Sequence, residues 1–225
     1  KLWNAARFVS HQLKDYKPSE EYALQLLDKW IICKAERLTQ RVTEALEKCQ
    51  FNIAVEEMRN FAWHVFCDQY VEAVKDRLYK PELYGEAKRK AAQQTLYTVL
   101  YRIIQLFAPV TPHITEEIYQ RMYAEHVGKK SIHLTPWPEA DLSKIDEETE
   151  REGDLLIALI TEIRRDKAEK RKPLNTSIKL VKIYAGNNNY AKIIEENRED
   201  FVGTCKVLRL EILPGKGGGR QLPQY

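Results

Sequence analysis

Over its first 128 residues the chain repeats apolar side chains at three- and four-residue spacings, and only a few Pro, Gly and Ser positions interrupt that period. A chain written this way folds as packed helices. Leu2, Trp3, Ala6, Phe8, Val9 and Leu13 form one face over residues 2–14, which Pro18 ends. Ser19 is placed to cap a second helix over residues 19–49, with Leu24, Leu27, Ile31, Leu38, Val42 and Leu46 on one stripe. Asn52 is placed to cap a third, whose Val55, Met58, Ala62, Val65, Phe66, Val74 and Leu78 continue until Tyr79-Lys80-Pro81. Gly85 separates a fourth, carrying Leu96, Val99, Leu100, Ile103, Ile104 and Phe107. A fifth opens at Thr111-Pro112, with Glu116 and Glu117 near its positive end, and closes at Gly128.

Past Gly128 the pattern changes. Trp137 between Pro136 and Pro138 prevents helix throughout residues 129–143, which read as a strap returning along the bundle. The acid-rich stretch 146–154 starts a sixth helix, with Leu155, Leu156, Leu159, Ile160 and Ile163 ahead of a basic run at 164–172. Strand-like segments at 178–184 and 205–213 flank a helical one at 190–200. The predicted fold is mainly α: an up-down helical bundle with its strap (1–143), then a small α/β subdomain (144–213) and a disordered Gly-rich tail (214–225).

At 225 residues the chain needs no disulfide or metal staple to form a core. Cys33, Cys49, Cys67 and Cys205 show no CxxC spacing, which points to buried thiols in a reducing compartment and a cytoplasmic location. No apolar run reaches the ~20 residues of a membrane-spanning helix. The opening at Lys1 without a start Met suggests a piece of a longer protein.

Catalytic motifs are missing where they would be expected: there is no GxSxG and no phosphate-binding Gly loop, and His11, His64, His113, His126 and His133 stand apart from one another. Neither a metal nor a cofactor is expected in this chain. Net charge is only +3, so any nucleic-acid reading rests on where the cations lie. Up-down connectivity sorts the links into two sets. One end gathers Lys14, Tyr16 and Lys17, then Arg77, Tyr79, Lys80, Tyr84, Lys88 and Arg89, then Lys129 and Lys130; the other carries little positive charge. Cations interleaved with tyrosines suit single-stranded RNA, binding phosphates and unstacked bases, although helix C-termini also favour cations. Arg164, Arg165, Lys167, Lys170, Arg171 and Lys172 form a second cluster, open to the same two readings.

Three segments carry a family resemblance. Residues 1–9 (KLWNAARFV), 61–70 (FAWHVFCDQY) with Glu72 and Lys75, and 107–119 (FAPVTPHITEEIY) resemble the anticodon-binding bundle of class I aminoacyl-tRNA synthetases, and within that class the valyl enzymes. Residues 131–138 resemble the family's exit from the bundle, and 164–174 its junction domain. The resemblance implies a tRNA partner, valine-specific, contacted by the bundle end and by Arg164, Arg165, Lys170 and Arg171. It also implies catalytic and editing domains elsewhere in the same polypeptide, with ATP and magnesium serving that parent enzyme; this chain alone is not expected to activate valine. Trp3, Phe8, Trp63, Phe66 and Tyr70 are expected in the core, and Asp68 and Glu72 in buried ion pairs. The alternatives are a helical protein-interaction scaffold, or the same module from an isoleucyl, leucyl or methionyl relative.

Overall fold

A computed structural model describes residues 1–18 and 20–215. The bundle comprises α1 (Leu2–Gln12), α2 (Leu26–Glu47), α3 (Phe51–Asn60), a π-helical segment (Phe61–Val71), α4 (Glu72–Tyr79), α5 (Pro81–Tyr84), α6 (Glu86–Phe107), α7 (Pro112–Met122) and α8 (Ala124–Val127). After two short 3-10 turns come α9 (Glu147–Glu169), β1 (Val181–Ala185), α10 (Asn188–Glu196), α11 (Arg198–Cys205) and β2 (Leu210–Pro214). The fold is thus mainly α, with a small two-stranded parallel sheet in which Val181 pairs with Leu210 and Ala185 with Pro214.

The second helix starts later than its apolar pattern suggests. Residues 20–25 run outside any helix, held where the Tyr22 amide donates to Gln94 Oε1 at 3.0 Å, and α2 begins after Gln25, whose amide donates to Asp28 Oδ2 at 3.0 Å. That carboxylate takes one of the amides a helix start leaves without a partner, so the helix starts beside it. The Ser19 cap lies outside the described residues, as does the tail beyond Gly215. The expected Asn52 cap is not used. Cys49 adopts φ 55°, the Cys49 amide donates to Leu46 O and the Gln50 amide to Ala45 O, so the end of α2 is satisfied at once and α3 starts at Phe51.

From Phe51 to Tyr79 the chain is one continuous rod. Its π-helical middle faces the core with Phe61, Ala62, Phe66, Tyr70 and Val71, all buried. α9 lies along α2, where Trp30 Nε1 donates to Asp154 at 2.8 Å and Glu150 accepts from Arg37 Nε at 2.5 Å. Gly153 permits this crossing, since a side chain there would run into the Trp30 ring. Asp146 caps α9 by accepting from the Glu148 and Thr149 amides. The strap returns along α2: Trp137 Nε1 donates to Thr43 at 2.9 Å, and Glu36 accepts from the Asp141 amide at 2.9 Å and from Arg102 at 3.1 Å.

α11 sits against both α4 and α9. Thr204 donates to Ala73 O at 2.7 Å, and Gly203 leaves room for the Tyr84 hydroxyl and the Asp76 carboxylate. One apolar core runs without a break from Leu2, Val9 and Trp30 through Phe66, Leu100 and Ile118 to Ile160, Ile178, Phe201 and Leu210.

Two expectations about the core need correction. Trp3 is 39% exposed, because the start of α1 presents it toward Arg121, whereas Phe66 and Tyr70 are buried as expected and Phe8 and Trp63 pack at the core's margin. Asp68 does not form a buried pair: it lies at the surface, 3.1 Å from Lys1 and 3.2 Å from His64. Glu72, also partly exposed, pairs with Lys75 and with Arg164 at 3.6 Å. Of the thiols, Cys33 and Cys205 are buried, but Cys49 is exposed at the α2–α3 turn and Cys67 is intermediate.

Candidate nucleic-acid interface

Three links meet at one end of the bundle. The Asp15 carboxylate, just after α1, accepts from Arg89 at 2.6 and 2.9 Å, from Lys90 at 3.0 Å and from Gln93 at 2.9 Å, all at the start of α6. The Arg89 bond above all, joined by those of Lys90 and Gln93, holds this carboxyl well below the usual carboxylate range although burial opposes it. Rings join the third link. Tyr97 lies 5.6 Å from Tyr16, 4.7 Å from Tyr123 and 6.3 Å from His126, and Tyr101 lies 4.8 Å from Tyr123. Burial pushes the Tyr16 and Tyr97 hydroxyls up to about 12. They stay protonated at neutral pH and can donate hydrogen bonds.

The cations of this end fall into three groups. Lys14, Lys17, Lys129 and Lys130 are exposed, and none forms an ion pair among the described residues; the carbonyls of Lys129 and Lys130 are anchored by the Tyr119 hydroxyl and Gln120 Nε2. Lys80 pairs with Asp76 at 3.0 Å, Lys88 with Glu199 at 2.5 Å and Arg89 with Asp15. The third group is Arg77, which is 1% exposed and cannot reach a ligand at the surface. Its guanidinium forks onto Asp28 with two 2.9 Å hydrogen bonds, while Nε lies 3.3 Å from Asp200 without a hydrogen bond. Tyr70 donates to the same Asp28 carboxylate at 2.7 Å. Arg77 is thus a core cation.

The tyrosines divide similarly. Tyr79 is exposed, but the Tyr84 hydroxyl donates to Asp76 at 2.8 Å beneath α11. Burial disfavours the Asp76 charge, yet bonds from Lys206, Tyr84 and Lys80 outweigh it and lower its pKa. Only Tyr79 of this pair offers a free ring face.

In the second cluster, Arg164 donates to Asp68 O at 2.9 Å, Arg165 pairs with Glu162 at 2.7 Å, and Lys170 with Asp166 at 3.0 Å. Arg171, at φ 52°, is exposed. Lys167 is 1% exposed and donates 2.8 Å hydrogen bonds to three carbonyls, those of Leu174, Thr176 and Cys205, so it too is structural. Burial lowers its pKa.

Several residues at this face escape a reading based on links alone. Trp3, Arg7, Ser10 and Arg121 line a cleft of about 180 Å³ between α1 and α7, and Tyr16, Tyr97 and His126 line an adjoining one of about 150 Å³. Trp3, Arg7, Ser10, Tyr97 and Arg121 belong to helix faces rather than to links, and only the i, i+4 spacing of Trp3 and Arg7 hints that those two share a side.

The family profile described as the anticodon-binding domain of tRNA ligase matches residues 28–183. Valine-tRNA ligase of Pyrococcus furiosus is 40% identical over 219 residues, covering 96% of this chain and 24% of the relative. The enzyme of the same name from Methanothermobacter thermautotrophicus is 42% identical over 216 residues (96% and 23%), and that of Methanocaldococcus jannaschii 36% over 222 (96% and 24%). The chain therefore spans about a quarter of the length of the curated relatives it matches. With the profile covering well over half of these residues, the chain belongs to the anticodon-binding domain family of tRNA ligases.

Proposed function

We propose that this chain is the tRNA-recognising part of a valine-tRNA ligase, and that the anticodon loop docks at the bundle end where three links meet. The observation that carries this reading is the convergence there of exposed lysines with no ion pair among the described residues, Lys14, Lys17, Lys129 and Lys130, with the tyrosines Tyr16 and Tyr79. The names of the relatives support valine as the amino acid. Arg165, Lys170 and Arg171 extend the positive surface toward the tRNA backbone. Activation of valine, with ATP and magnesium, belongs to catalytic and editing domains of the same polypeptide, in the cytoplasm, and this chain contributes the tRNA contact.

The test is binding of valine, isoleucine and methionine tRNA transcripts to the full-length protein across a salt series. Tightest binding of the valine transcript, lost when its anticodon is exchanged, supports the reading. Equal affinity for all three, or no binding, would move weight to the protein-scaffold alternative.

A further inference from the structure

The link that carries Tyr79 and Lys80 is fastened from outside the bundle, by α11. Within that link α5 has four residues, too few to hold their own shape, and its Glu82 and Leu83 are exposed. Tyr84 anchors it, through the hydroxyl that donates to Asp76 at 2.8 Å. That hydroxyl lies against Gly203 of α11, where a Cβ would stand 1.8 Å from the hydroxyl oxygen and 2.8 Å from Asp76 Oδ2. The φ of Gly203 is not positive, so the glycine serves space and not a backbone turn. α11 is not free to retreat from the ring. Thr204 donates to Ala73 O at 2.7 Å, and Lys206, which ends α11 at φ 56°, pairs with Asp76.

The charges around Asp76 point the same way. One carboxylate serves two lysines, Lys80 of the link at 3.0 Å and Lys206 of α11. The Asp76 side chain is only 10% exposed, so stripping it of every cation would be costly. Lys206 keeps it neutralised. Lys80, which is partly exposed, can then turn to a phosphate without leaving a stranded carboxylate behind.

We propose that α11 is the positioning element for this RNA-docking link: Gly203 admits Tyr84 and so seats residues 79–85, and Lys206 shares Asp76 and so releases Lys80 to a phosphate. The inference rests on the tRNA-binding reading above. It adds that the α/β part of the chain acts on the bundle end through Tyr84 and Asp76, with Gly203 and Lys206 as positioning residues that need not touch the nucleic acid.

The experiment measures binding of an anticodon stem-loop RNA to the full-length protein across a salt series, with thermal unfolding recorded for every variant. Gly203→Ala should drive the Tyr84 ring outward, displace Tyr79 and Lys80, and weaken binding about tenfold, within the range that loss of one stacking partner gives. Adding Tyr84→Phe removes the clashing oxygen and leaves the ring carbon Cζ at 3.1 Å, so the double variant should recover most of the affinity. A purely structural glycine would not be rescued in this way. Lys206→Met should flatten the plot of log affinity against log salt by roughly one phosphate contact, because Lys80 then stays on Asp76. Should Gly203→Ala fail to fold, the slope of Lys206→Met decides. Wild-type affinity in folded Gly203→Ala, equal loss in the single and double variants, or an unchanged slope in Lys206→Met would overturn the positioning role of α11 and leave the tRNA reading standing. No stem-loop binding by the wild-type protein would overturn both.

Discussion

Among the described residues two cations are buried, and their surroundings are opposite. Arg77, beneath α4, is neutralised by carboxylates: Asp28 takes both terminal nitrogens and Asp200 stands beside Nε. Lys167, at the seam of α9 and α11, has no carboxylate partner among the described residues and gives its three protons to backbone carbonyls. Arginine suits the first site because its planar fork matches a carboxylate, and lysine suits the second because three donors radiate from one atom. The two sites also join different things. Arg77 ties the start of α2 to α4 and α11 through charge, whereas Lys167 closes the 174–176 turn and the end of α11 onto α9 through dipoles.

The sharpest way to break this comparison is to remove each cation. Arg77→Ala leaves the Asp28 and Asp200 carboxylates buried without the cation between them, and should cost about 3 to 5 kcal/mol in urea unfolding, the range for an orphaned buried charge. Lys167→Met keeps the volume and leaves behind only neutral carbonyls. It should cost about 1 to 3 kcal/mol. A larger loss from Lys167→Met than from Arg77→Ala would show that the carbonyl cage, and not the carboxylate pair, is the stronger fastening.

Asp200 refines the picture. Burial raises its pKa, Arg77 opposes the rise and Asp28 adds to it. A carboxyl whose folded pKa lies above its unfolded value is a burden when ionised, so the cost is fully present above the folded pKa and gone below the unfolded value near 3.9. Asp200→Asn removes the charge and should change stability by only about 1 kcal/mol at neutral pH. As pH falls into the carboxylate range, the difference should move in favour of the wild type. A difference that stays constant between pH 7 and 4 would show that Arg77 fully compensates Asp200.

Both buried cations were legible in principle. Arg77 follows Tyr70 by seven residues and Val74 by three, and Lys167 follows Ile160 by seven and Ile163 by four, so both lie on the buried stripes of their helices. Read by charge type they join surface clusters; read by position they fall inside. Periodicity and punctuation alone give the helices, the Thr111-Pro112 start of α7 and the Gly128 turn, because each is a local property of the chain. The late start of α2 depends on Gln94, about seventy residues away, and the ion pairs that occupy Lys80, Lys88 and Arg89 depend on Asp76, Glu199 and Asp15. Such long-range pairing has no periodic signature. The gathering of three links at one end follows from up-down connectivity, but the Trp3 groove requires knowing which faces of α1 and α7 meet.

The smallest stability effect, and the most informative for binding, comes from comparing two exposed lysines. Lys130 has no ion pair among the described residues, while Lys88 lies 2.5 Å from Glu199 at a partly exposed site. Neither should matter much to folding: Lys130→Ala and Lys88→Ala should each change stability by no more than about 0.5 to 1 kcal/mol, as isolated surface charges and surface ion pairs do. Toward RNA they should differ. A lysine free to meet a phosphate releases a counterion on binding, so Lys130→Ala should flatten the plot of log affinity against log salt by roughly one phosphate contact. Lys88 must first leave Glu199, whose freed charge then repels the same phosphate, so Lys88→Ala should change that slope less. Adding Glu199→Gln to the wild type releases Lys88 and should steepen the slope. Equal slopes for Lys130→Ala and Lys88→Ala would show that the intramolecular pair does not restrain Lys88, and that position at the bundle end, rather than prior pairing, decides which cations serve the nucleic acid.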